Sequence, residues 1–222
     1  MKDDKAVQFY EIFLKMHSLN SQNSIDEKIK YINIYCRIIK FFSTINTKRS
    51  LTIIEYTKSV ANTEPVSYKE LAKLHLVEGN INKKLNNYKD ALSCFRKALT
   101  NCIKWNDSRE NKLCCKIHDN IAELSFVSAD SDFEKQNAID AILENLNYKE
   151  NIYGTTSLNI AKYCKIIALF YLSLQKPLKA KPLLERSKKL YTNCNKNHSE
   201  VIEINMMLND NFIFPNIEKN KN

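Results

Sequence analysis

The chain has 222 residues, 44% hydrophobic and 27% charged, a balance typical of soluble globular proteins and long enough to bury a substantial core. Only two glycines and four prolines occur, which disfavours tight-turned sheets and Gly-rich phosphate loops and leaves helices joined by short polar connections. The net charge of +9 favours acidic partners, yet no block of five like charges appears, so a dedicated nucleic-acid stripe is not indicated.

In chain order, hydrophobic period and cap chemistry predict nine or ten helices. The first covers roughly 4–19, with Phe9, Phe13 and Met16 on one face. Ser24-x-x-Glu27 is a capping box that opens the second, whose stripe is Ile25, Ile29, Ile32, Cys36 and Ile39. A third spans about 48–62 and stops before Pro65. Ser67-x-x-Glu70 opens a fourth, and Asp107-x-x-Glu110 and Ser131-x-x-Glu134 carry similar start chemistry. Further helices are expected at roughly 88–105, 109–128, 132–153, 157–175, 178–193 and 199–209.

No apolar segment follows Met1, where Lys2, Asp3, Asp4 and Lys5 come first, and the longest apolar run, 166–174, is too short to span a bilayer. Membrane insertion is therefore not expected. Seven cysteines form an odd set without framework spacing, which points to a reducing, intracellular and most simply cytoplasmic setting. Cys114, Cys115 and His118 are the only metal-like cluster. They lack a second ligand pair at zinc spacing and read as a buried helix stripe, so no metal and no cofactor is expected. No nucleophile, base and oxyanion stabiliser can be assembled, which argues against an enzyme and against a small-molecule substrate.

The helices repeat. Ala91, Ala138 and Ala180 take matching positions in the second helix of successive hairpins, at intervals of about 42 residues with about five inserted once, in the 127–132 loop. Phe95, Ile142 and Leu184 follow them in step. In the first helices the matching small residues are Gly79, Ala122 and Ala168, where close backbone approach needs them.

Residues 72–103 resemble a tetratricopeptide repeat, with Gly79, Tyr88, Ala91, Phe95 and Ala98 in that family's spacing. The stretch 138–184 is similar to the 42-residue repeats of kinesin light chains. There Glu150-Asn151-Ile152-Tyr153-Gly154 resembles the closing linker, and Pro182-Leu183-Leu184-Glu185-Arg186 continues the likeness. Asn145 and Ser187 depart from it, standing where Ala98 provides a small residue.

The resemblance implies an all-α, right-handed superhelical array of antiparallel helical hairpins. Residues 66–210 would form the repeats and a C-terminal solvating helix. Residues 1–65 would be an N-terminal helical extension that could contain one degenerate hairpin, and 211–222 a flexible tail. It also implies that the first helix of each hairpin lines a concave groove. The family's ligand-facing positions fall here on Lys73, Leu76, Val77 and Asn80; on Lys116, Asp119, Asn120 and Glu123; and on Lys162, Lys165, Ile166 and Leu169. The groove residues singled out are Lys73, Asn80, Lys116, Asn120, Lys162 and Lys165, and a lysine at the first place of each set favours an acidic segment. The expected role is that of a protein-binding adaptor or scaffold. The alternative is a structural subunit that meets its partners through the N-terminal helices or the convex face.

Overall fold

The computed structural model describes residues 2–16, 24–61, 67–105, 111–194 and 199–209. Among them the chain is all-α, with ten helices and no strand. The helices are α1 (Lys2–Met16), α2 (Ile25–Ile45), α3 (Thr47–Ala61), α4 (Tyr68–Lys84), α5 (Tyr88–Trp105), α6 (Lys112–Val127), α7 (Asp132–Tyr153), α8 (Leu158–Ser173), α9 (Pro177–Cys194) and α10 (Ser199–Asn209). None is long and apolar enough to cross a membrane. The chain divides into two compact units, Met1–Ser108 and Arg109–Asn222.

Cap chemistry sets the helix starts. Ser24 and Ser131 each accept from the backbone of Glu27 and Glu134, whose carboxylates return to the cap N–H, so both are full capping boxes. Ser67 caps α4 through the N–H of Lys69 instead, while Glu70 turns to Asn33 and Lys73. The Asp107-x-x-Glu110 expectation lies outside the described residues. Asn111 is the cap of α6, its side chain accepting from the Cys114 N–H at 2.7 Å.

In the first unit, α4 and α5 form a hairpin, α2 packs on α3, and both pack on α4. Ile32, Tyr35, Ile39, Ile54, Leu74 and Ile81 are fully buried between them. α1 rests on this core through Val7, Tyr10, Phe13 and Leu14, and Arg49 holds it by paired hydrogen bonds to Glu11 at 2.9 and 2.6 Å. Gly79 sits against Phe95 of α5, so closely that a Cβ there would lie 2.4 Å from the ring.

The second unit pairs α6 with α7 and α8 with α9, with α7 packed on α8 and α10 on α9. Ala122, Ala138, Ala168 and Ala180 all belong to its core. The turns that close two of the hairpins share one geometry. After α4, Asn86 adopts φ 61° and the Asn87 N–H reaches back to the Asn82 carbonyl. After α8, Gln175 adopts φ 55° and the Lys176 N–H reaches back to Tyr171. Both are six-to-one closures around a left-handed residue, and they recur at matching places in two hairpins. The longer 128–131 connection replaces that turn between α6 and α7.

Candidate binding cleft of the second unit

Three helices of the second unit enclose an open cleft of about 820 Å³. α6 supplies Lys112, Cys115, Lys116, Asp119 and Glu123; α8 supplies Lys162, Tyr163, Ile166, Leu169 and Phe170, with Asn159 at its start. α7 closes the floor with Ile142, Lys149 and Tyr153. The helical period explains the lining: positions three and four apart on α6 and α8 turn one face of each inward.

The floor is polar at one end and apolar at the other. At the polar end the Asp119 carboxylate gathers three donors. Lys149 Nζ reaches one oxygen at 2.5 Å, and Asn145 Nδ2 (2.6 Å) and the Tyr163 hydroxyl reach the other. Lys149 also lies 3.5 Å from the centre of the Tyr163 ring, a cation–π contact that the half-buried site strengthens. Burial and the neighbouring Asp119 charge both push the Tyr163 phenol upward, so it stays a neutral donor. Asn145 is 3% exposed and bonds the Cys115 carbonyl as well, tying α7 to α6 and α8. The polar substitution in the repeat pattern is thus the keystone of this network. Ser187 does the same work on a smaller scale, its buried hydroxyl donating to the Ala161 carbonyl at 2.7 Å.

At the apolar end Ile166, Leu169 and Phe170 line the wall, and Phe170 stacks on Phe126 at 4.1 Å between ring centres. Lys116 and Lys162, both exposed, line the same cleft, and neither forms an ion pair among the described residues. Lys112 lies 5.6 Å over the Tyr153 ring. With Asp119 paired to Lys149, the cations left to meet a ligand are Lys112, Lys116 and Lys162, and Glu123 lines the same cleft as an acid.

The six expected groove residues have different surroundings. Lys116 and Lys162 line the cleft. Asn120 turns its amide back onto the Lys116 carbonyl at 2.7 Å. Lys165 is held at 2.5 Å by both Glu200 and Glu203 of α10. Lys73, in the first unit, donates to Asn33 of α2 at 2.8 Å and pairs with Glu70, and Asn80 is half-buried on α4. Leu76 and Val77 are buried rather than ligand-facing. Sequence reasoning missed Lys112, Lys149 and Tyr153. The first two could have been sought one helical turn before Lys116 and one turn after Asn145; Tyr153 follows Lys149 by a further turn.

No family model matches the sequence, and no curated protein does. Among solved structures, the chain is similar to BtubC (BKLC) from P. vanneervenii, with a TM-score of 0.58 over 87% of this chain and 84% of that one. Sequence identity is 11%, so the likeness is one of fold. With the recurring hairpins and turns, it supports an all-α array of antiparallel helical hairpins.

Proposed function

We propose that this chain is a protein-binding adaptor whose partner presents an acidic, partly apolar segment to the cleft of the second unit. The observation that carries the reading is the pairing of exposed Lys116 and Lys162 with the apolar wall of Ile166 and Leu169 in one cleft of about 820 Å³. An extended segment advances by about 3.3 Å per residue, so alternate side chains can enter the apolar end while carboxylates between them meet the lysines. Catalysis forms no part of the reading.

The test is affinity for an acidic peptide carrying apolar residues, compared with its Gln-for-Glu analogue. Lys116→Glu with Lys162→Glu should weaken the acidic peptide by about 5- to 30-fold, from roughly 0.5–1 kcal/mol per exposed pair, and remove its advantage over the analogue. Lys73→Glu should have little effect, since Glu70 and Asn33 already satisfy that ammonium. An unchanged preference in the double variant would sink the proposal.

A second reading is favoured by α1, where Phe9 is 64% and Ile12 55% exposed on neighbouring turns. In it the chain is a structural subunit that docks through its N-terminal helices. Phe9→Ser with Ile12→Ser would then abolish co-purification of a partner that the cleft variant retains.

A further inference from the structure

A second surface, in the first unit, is lined by polar and charged side chains, half of them cationic. A shallow groove of about 480 Å³ runs along the outer face of α5, lined by Lys89, Arg96, Lys97 and Lys104 with Ser93 and Thr100 between them. His75 of α4 and Asn101 complete it. Among the described residues none of these four cations forms an ion pair, and no carboxylate lines the groove. Of the acids nearby, Glu78 is held by Lys58 at 2.7 Å and by His75 at 3.2 Å, and Asp90 stands beside Lys89 in the first turn of α5.

The α-helical period assembles this row from residues that are scattered in sequence. From Lys89 to Lys104 the helix rises by about 22 Å, and Lys89, Ser93, Lys97, Thr100 and Lys104 follow one another at steps of about 5–6 Å. Cations and hydroxyl donors therefore alternate along a straight line. Concentrating uncompensated charge on one face is opposed by self-repulsion, which a polyanion would relieve.

We propose that the outer face of α5 binds the phosphodiester backbone of duplex nucleic acid, without reading its sequence. A single phosphate would be served by converging donors, whereas an evenly spaced row suits a repeating charge. No large apolar side chain lines it, so it offers little to bury in an acyl layer, which separates it from an amphipathic membrane-binding helix. The lining's one ring, His75, is tied to Glu78 at 3.2 Å, and Lys104 lies 5.4 Å over the Tyr68 ring, which favours a backbone contact over a stacking platform for a single strand. This surface is separate from the cleft of the second unit, and either could fail without the other.

The experiment is fluorescence anisotropy of a labelled mixed-sequence DNA duplex titrated with the full chain across a salt series. Four contacts predict a log–log slope near about −3.6, a weakening on the order of 100-fold between about 50 and 200 mM salt. Arg96→Gln with Lys97→Gln should reduce the magnitude of that slope by about 2. Lys181→Gln with Lys189→Gln removes the same charge from exposed positions of the second unit and should leave the slope unchanged. Circular dichroism confirms that both variants keep their helix content. Three results would each overturn the proposal: no duplex binding at the lowest salt, equal loss in both variants, or tighter binding to anionic vesicles or a phosphopeptide than to the duplex.

Discussion

Gly79→Ala sets two effects against each other, and the structure decides the sign. Alanine in a helix interior is favoured over glycine by about 1 kcal/mol, so a solvent-facing Gly79 would gain stability from the change. Here the new Cβ would lie 2.4 Å from Phe95 Cε1 and 2.6 Å from Cδ1, well inside contact distance. Phe95 is 0% exposed, so its ring has no open space to move into, and α4 and α5 must separate. Overpacking of this kind costs about 1–3 kcal/mol, which leaves a net loss of up to about 2 kcal/mol. Urea denaturation followed by circular dichroism measures the change, and hydrogen exchange in α4 and α5 assigns it to the first unit. Phe95→Leu combined with Gly79→Ala should show a coupling of about 1 kcal/mol or more, because the smaller side chain makes room. A Gly79→Ala protein stabilised by about 1 kcal/mol, with no coupling to Phe95, would refute the close approach of these helices.

Other perturbations probe the polar contacts and the turns. The Glu78 carboxyl is raised by burial but lowered more by hydrogen bonds from His75 and Lys58, to about 2 from the ordinary 4.5. With the folded value below the unfolded one, its stabilisation is complete above about pH 4.5 and is lost as pH falls towards 2. That loss is at most about 3 kcal/mol, and about half that after solvent screening. Glu78→Gln should flatten this part of the acid-denaturation profile. Asp119→Ala strands Lys149, whose side chain is 12% exposed, together with the Asn145 and Tyr163 donors. It should cost about 2–3 kcal/mol in urea denaturation, and a neutral result would mean that the network is not closed. Gln175 holds φ 55° at an exposed turn, so Gln175→Gly should stabilise the chain by roughly 0.5–1 kcal/mol, read as a higher thermal midpoint.

Helix positions were legible because caps and period are local. Ser24 and Ser131 mark their starts through residues three places on, and Gly79, Ala91 and Phe95 carry the hairpin spacing in their sizes. The surroundings of the groove lysines were not legible, because they depend on distant partners. Lys73 meets Asn33 of α2, and Lys165 meets Glu200 and Glu203 of α10. A helical period assigns a face, but it does not say which neighbouring helix brings a carboxylate to it. Asn145 was visible only as a departure from the repeat, and its purpose appears once Asp119 and Tyr163 are seen beside it. Phe170 stacks on Phe126 and also lines the cleft.

The binding claim is tested most directly by methyl NMR of the full chain during titration with the acidic, partly apolar peptide. The account predicts saturable shifts concentrated on the methyls of Ile142, Ile166 and Leu169, which line the cleft, and their loss in the Lys116→Glu, Lys162→Glu protein. Shifts confined to Val7, Ile12 and Leu14 of α1, with the cleft methyls unmoved, would contradict it.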